Sequence, residues 1–328
     1  MIGAYSYWAV AAFFVIIVAS LLLDLLAHKK NEAISLKNAA LWSVFWVMLS
    51  LAFAGYVWYS HGAAQSSLFL AGYLLEKSLS VDNLFVFMAI FSSFAVRDEY
   101  QHRVLYYGIV GALIMRMVFI AAGTAVLHAF EFWALTIFGL FVLWTAWKMW
   151  QESRKEEQEI EDYSHHWSVR LVGRVFPVLP CMRGERFFVR ENGRLFCTPL
   201  FLCLVVIEVA DVMFAFDSVP AVIAITREPF LVYTSNIFAI LGLRSLYFLL
   251  AAARRYLRFL EDAVVVILAF IGVKLLLDVS GLFEISPTHS LIIVFSILSV
   301  GIAVSILFPS KENEKLGPKP IRDDSCDT

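Results

Sequence analysis

Charge is scarce in this sequence. Only 16% of its 328 residues are Asp, Glu, Lys or Arg, and the formal net charge is −2. That balance excludes a basic nucleic-acid footprint. Cysteine is scarce as well: Cys181, Cys197, Cys203 and Cys326, with no CxxC pair among them. Neither a zinc site nor a disulfide framework is implied, and all four are expected to be free thiols. Histidine is missing from the middles of the apolar runs, since all seven fall at expected interfaces or in loops. The opening stretch, MIGAYSYWAVAAFFVIIVASLLLDLLAHKK, has no basic residue before its apolar run and no small-residue cleavage site after it. A signal peptide has the opposite flanks, so this stretch reads as a retained first span.

Apolar sequence is abundant. Hydrophobic residues make up 60% of the chain and mean hydropathy is +0.76. Apolar runs of about 20 residues recur along it, as in an integral membrane protein. The hydropathy predicts nine spans, at 5–27, 39–59, 68–94, 104–127, 131–150, 199–224, 230–253, 259–278 and 287–308.

Lys and Arg give the sides. Alternate connections (HKKNEAISLK, RDEYQHR, the segment from Lys148 to Arg194, RRYLR and the tail after Pro309) hold 3, 2, 9, 3 and 4 basic residues, or 21 of 26. The intervening connections hold only Arg227. By the positive-inside rule the N-terminus is expected to be periplasmic and the C-terminus cytoplasmic, as nine spans require. Residues 1–309 then form one transmembrane domain with a cytoplasmic loop, 151–198, inserted in it. The loop opens on a charged stretch and continues into FFVRENGRLF, where Asn-Gly between alternating apolar residues predicts a two-residue hairpin. The polar tail, 310–328, is expected to be disordered.

One stretch breaks the apolar pattern. EKSLSVDN, Glu76 to Asn83, lies inside the third span. A charged side chain at the centre of a bilayer helix costs roughly 2.5–3.5 kcal/mol even on insertion scales. The sixth span repeats the chemistry: Asp211 is followed six residues later by Asp217 and then Ser218, as Glu76 is followed by Asp82 and Asn83, with Glu208 just before. The next span in each half carries an arginine, Arg116 or Arg244, and the one after carries a lysine, Lys148 or Lys274. With the orientations above, spans 3–5 and 6–8 form an inverted 3+3 repeat within an all-α membrane fold. Secondary transporters are often built this way, with the site at the midplane.

Inverting one half onto the other gathers Glu76, Asp82, Glu208, Asp211 and Asp217 near mid-depth. Asn83 and Ser218 lie beside them, and Lys77, Arg116 and Arg244 are the nearby bases. Five acids against three bases leave two negative charges, which a divalent cation balances. Alternatively, the acids serve only to neutralise the bases. The arginines are either permanent partners of carboxylates or take over their charge when an ion leaves. An oxygen-only donor set favours Mn²⁺, Ca²⁺ or Mg²⁺ over Zn²⁺ or Cu⁺. Residues nine apart on a continuous helix point in opposite directions, so Glu208 and Asp217 cannot face one ion along an unbroken helix. Pro220 removes the donor for the Phe216 carbonyl, which predicts either unwinding near Asp217 or a simple kink.

GYLLEKSLSVDNLFVF, VVIEVADVMFAFDSVPAV, TSNIFAILGLRSLYFLL and RFFVRENGRLFCTPL resemble the TerC family of integral membrane proteins, Alx-type members included, over essentially the whole chain. The resemblance implies nine spans, residence in the bacterial inner membrane, and a part in manganese export or homeostasis. Carried over by motif, the acidic positions are Glu76, Asp82, Glu208, Asp211 and Asp217. The expectation is a transporter, not an enzyme, that exports Mn²⁺ by alternating access. The alternative is a membrane scaffold that delivers metal to other proteins or modulates them.

Overall fold

The computed structural model describes residues 13, 15–17, 19–20, 36–153, 163–191, 193–253, 259–281 and 285–308. Most of the expected first span, part of the charged stretch of the cytoplasmic loop and the tail lie outside these residues. The described chain is mostly helical. It runs α1 (Leu36–His61), α2 (Ala63–Ser93), α3 (Asp98–Ala129), α4 (Glu131–Ser153), α5 (Trp167–Val175), β1 (Phe188–Glu191), β2 (Arg194–Cys197), α6 (Pro199–Ile225), α7 (Pro229–Ile240), α8 (Leu243–Ala253), α9 (Leu260–Ser280) and α10 (Pro287–Leu307).

Local sequence explains many of the boundaries. Asp98 and Glu99 sit in the first turn of α3, where the helix dipole favours acids. Pro199, Pro229 and Pro287 open α6, α7 and α10, at positions where a missing N–H costs nothing. The Ser286 hydroxyl accepts a hydrogen bond from the His289 backbone N–H to cap α10. Gly281, at φ 67°, ends α9 in the left-handed region.

Among the described residues, six helices are long and apolar enough to cross a membrane: α1, α3, α4, α6, α9 and α10. The bent pair α7–α8 makes a seventh if it is one span. The charged stretch of α2 keeps that 31-residue helix outside this set.

The expected hairpin is present. Strands β1 and β2 pair antiparallel with Phe188 opposite Cys197 and Glu191 opposite Arg194. Gly193 has φ 77°, as a two-residue hairpin loop requires. The thiol expectation holds for Cys197 and Cys203, which are free and buried, but Cys181 is disulfide-bonded.

In lipid, helices gain little from hydrophobic exclusion of one another, so close approach and polar pairing must hold them together. Both are seen. Helices α4 and α9 cross at Gly139 and Gly272. A Cβ on Gly139 would sit 2.9 Å from Leu276 Cδ2, and one on Gly272 would sit 2.6 Å from Leu143 Cγ. Each leucine lies four residues beyond its glycine, so the helices run antiparallel. At one end of this pair, Arg227 reaches Glu131 at the start of α4 (3.2 Å) and Asp278 near the end of α9 (3.8 Å). Helix α2 packs on α7, and α3 on α6. Rings from α1, α2 and α7 form an aromatic cluster, with Phe53 and Phe238 centroids 4.8 Å apart and Phe13 joining at Phe230.

Two expectations are corrected. Helix α6 continues through Pro220 without unwinding. The break falls instead between α7 and α8, at Leu241–Gly242, where the axis bends by 44°. Gly242 has φ 80°, and a Cβ there would lie 2.3 Å from Trp46 Cδ1. Only glycine fits that backbone and that contact. The pairing of Lys148 with Lys274 also fails. Lys148 is exposed, with its ammonium over the Trp144 ring, whereas Lys274 is buried within α9. Counted from the crossing glycines, Lys274 corresponds to Phe141 and not to Lys148.

Candidate functional site

The centre of the bundle is organised by Arg116. Its guanidinium is 1% exposed, on α3, and faces three other helices. Nη1 pairs with Glu76 Oε1 of α2. The same nitrogen donates to Ser218 Oγ of α6 and to Asn236 Oδ1 of α7, both at 3.1 Å. Nη2 lies 3.9 Å from Asp211 Oδ1 of α6. The Asn236 amide is fixed by its own donation to the Val232 carbonyl at 3.0 Å, which leaves its oxygen toward Arg116.

Helical spacing explains the convergence on α6. Asp211 and Ser218 are seven residues apart, close to two turns, so both present to one side. Glu76, Asp211, Ser218 and Asn236 are all buried. A guanidinium is suited to such a place because its planar fork serves several acceptors at once.

The pairing is incomplete. Among the described residues, Glu76 Oε2, Asp211 Oδ2 and Arg116 Nε have no hydrogen-bond partner. A buried, unmatched carboxylate oxygen costs about 1–3 kcal/mol or more. The two carboxylates therefore keep unused acceptor capacity at the centre of the protein. Glu76, Asp211 and Arg116 together carry one net negative charge when all are ionised.

The other expected site residues are placed as follows. Glu208 is half-buried on α6, and its carboxylate lies directly against Gly111 of α3, where a Cβ would be 2.0 Å from Oε1. Lys77 donates to the Ala239 carbonyl at 3.0 Å, so an ammonium from α2 covers an end carbonyl of α7. Arg244 is buried in the first turn of α8, just past the break. Asn83 is half-buried on α2. Asp82 and Asp217 lie on α2 and α6, and their side chains are outside the described residues. The structure thus joins Glu76, Asp211 and Ser218 around Arg116, and it sets Glu208 on the neighbouring face of α3. Among the described residues, no three His, Cys, Asp or Glu side chains group closely enough to hold a metal. Arg116 stands between Glu76 and Asp211.

Asn236 was not singled out from sequence. It lies in TSNIF, where a polar run inside an apolar span is the signal that marks it. Ser235 beside it packs on Gly72 of α2, 3.0 Å from the position a Cβ would take.

A helical bundle with buried arginine–carboxylate pairing at its centre and at least six membrane-length helices is a polytopic integral membrane protein. The chain belongs to the Integral membrane protein TerC family, which it matches over residues 61–314. It is 48% identical to the "Tellurium resistance protein TerC" of Serratia marcescens, with 94% of this chain and 96% of the relative covered. It is 44% identical to the "Putative membrane-bound redox modulator Alx" of Photorhabdus laumondii, with 93% and 96% covered. A Myxococcus xanthus protein, "Uncharacterized membrane protein STKORF319", is 40% identical, with 93% of each chain covered. No solved structure matches the chain.

Proposed function

We propose that the protein exports a hard divalent cation, Mn²⁺, across the bacterial inner membrane through the centre built on Glu76 and Asp211. One observation carries this reading: two buried carboxylates from different helices each keep an oxygen with no donor, while a single arginine holds the other two. An oxygen-only centre of net negative charge suits Mn²⁺, Mg²⁺ or Ca²⁺. It repels tellurite, an oxyanion, so the tellurium phenotype in the relatives' names is read here as indirect.

Arg116 acts as a tethered cation in this reading. It lies between Glu76 and Asp211 when no metal is bound and swings aside when Mn²⁺ arrives. Asp82, Glu208 and Asp217 add carboxylates, with Asn83 and Ser218 as neutral oxygen donors. Neutralisation of the empty site lowers the cost of reorienting it across the bilayer.

The inverted repeat and nine-span topology belong to the same proposal. They are supported by the reciprocal glycine crossing of α4 and α9 and by helix direction. Helices α2 and α7 run parallel through Gly72–Ser235 and Lys77–Ala239, and α3 and α6 run parallel through Gly108–Ile207 and Gly123–Ile223. Those are the pairs an inverted repeat exchanges. The basic-residue asymmetry supports a periplasmic N-terminus and a cytoplasmic C-terminus.

The test is flux in proteoliposomes with Mn²⁺, Mg²⁺, Ca²⁺ and Zn²⁺, comparing the native chain with Asp82→Asn and Asp217→Asn. Both variants should insert at normal level and lose Mn²⁺ flux. Undiminished flux in both would remove these acids from the path. Poor insertion of both would mean that they only neutralise bases. No flux of any of the four metals through native protein would favour the scaffold reading.

A further inference from the structure

The nine-residue helix α5 carries three distinct faces. Positions four apart on a helix drift by about 40°, so Trp167, Leu171 and Val175 occupy one sector of about 80°. All three are exposed, at 54%, 54% and 69%. To one side, Ser168 is buried, while Val169, Val172 and Phe176 are half-buried toward the protein. To the other side stand Arg170 and Arg174, both exposed. Neither makes an ion pair among the described residues.

The place of α5 in the fold says what covers this stripe. Just before it, the Tyr163 backbone N–H donates to Ser93 Oγ, at the last residue of α2 (3.3 Å). Just after it, Phe176 packs on Phe188 of the hairpin, which packs in turn on Phe201 in the first turn of α6, with centroids 5.7 and 4.4 Å apart. Helix α5 also packs on α6 directly. It therefore sits at the level where α2 ends and the membrane-length helix α6 begins, a boundary between spans and loop. Basic-residue counts assign that boundary to the cytoplasmic leaflet, whose anionic headgroups attract basic segments. Tryptophan and arginine flanking an apolar stripe are the side chains such an interface favours.

We propose that α5 lies in the headgroup layer and binds anionic phospholipid, with Trp167, Leu171 and Val175 at the acyl-chain border and Arg170 and Arg174 on the phosphates. The loop that carries α5 is thereby fixed to the bilayer surface as well as to the bundle. This surface is separate from the Arg116 centre and does not depend on what the centre transports.

The test uses the full chain in proteoliposomes, with a fluorescent amino acid incorporated in place of Leu171. In vesicles containing phosphatidylglycerol, the probe should emit to the blue and be quenched by lipids carrying a shallow spin label, not by aqueous iodide. Retention of phosphatidylglycerol over phosphatidylcholine, read by native mass spectrometry, should fall about fivefold for each of Arg170→Gln and Arg174→Gln. Melting temperature measured in neutral detergent identifies any variant that is misfolded. Quenching by iodide alone would overturn the proposal. So would shielding from both quenchers, which means that protein covers the stripe. Lipid quenching that is equal in neutral vesicles and unchanged by the arginine variants would overturn the anionic part.

Discussion

Gly139 and Gly272 each make room for the leucine four residues beyond the other, so the contact between α4 and α9 reads the same from either helix. Such reciprocity follows when two antiparallel helices meet about a two-fold axis. A larger side chain should therefore do equal harm on either helix. Gly139→Val and Gly272→Val are each expected to destabilise the bundle by about 1–3 kcal/mol, the usual cost of overpacking. Thermal unfolding in detergent checks this. Full tolerance at one position with strong loss at the other would contradict the reciprocal crossing.

Removing the Arg116 side chain strands Glu76 and Asp211 together. Arg116→Ala should cost about 3–5 kcal/mol, as for any buried ion pair broken from one side. Adding Glu76→Gln to Arg116→Ala should restore part of that loss, since Asp211 is then the one carboxylate of the pair left without Arg116. The pair should be strongly non-additive in a double-mutant cycle. Additive losses would mean that the two groups do not hold one another.

At the α7–α8 break, Gly242→Ala faces two obstacles. The left-handed backbone costs about 1–2 kcal/mol for a residue with a Cβ, and Trp46 occupies the space the Cβ would need. The variant should lose stability even when Trp46 is replaced by a smaller residue, because the backbone term remains. Expression and melting of Gly242→Ala and of Gly242→Ala with Trp46→Ala separate the two contributions.

Reporter fusions after Lys30, Asp98, Glu157, Arg255 and Lys311 should all report cytoplasm. The parallel run of α2 with α7 and the antiparallel run of α4 with α9 are compatible with that alternation. Periplasmic signals at these sites would contradict both the orientation and the inverted repeat.

The Cys197 thiol, on β2 outside the spans, is pushed up from its ordinary value by burial. A raised value keeps it protonated at neutral pH, so its contribution to stability is present below the unfolded thiol value and is lost as pH rises through the folded one. Alkylation of Cys197 in the native protein should stay slow at pH 7–8 and accelerate only at higher pH. Rapid labelling at neutral pH would show the hairpin to be open.

Several features were legible from sequence because their signals are local. Asn-Gly between alternating apolar residues fixes the hairpin without help from the rest of the chain. Acids and arginines within apolar runs must meet partners, which cost alone predicts; that Arg116 meets Glu76 and Asp211 in particular is given only by the packing. The break was not legible in the same way. Pro220 looked like the weak point because it lacks an N–H, yet the neighbouring turns of α6 carry the helix across it. Gly242 looked ordinary until Trp46 of a distant helix came to lie against it. The lysines misled because Lys148 and Lys274 resemble one another in type and position along their spans. The glycines that set the register carry no charge to draw attention. Asn236 was hidden by its short side chain, whose importance depends on Arg116 arriving from another helix.

The location of Arg116 bears on how the chain is assembled during synthesis. Glu76 precedes its arginine by only 40 residues, and both belong to the first half. Asp211 and Asn236 emerge later and find Arg116 already in the membrane. The second half therefore enters a bilayer that holds its counter-charge in advance. A second half made alone would bring Asp211 into hydrocarbon without Arg116, so the dependence between the halves runs in the direction of translation.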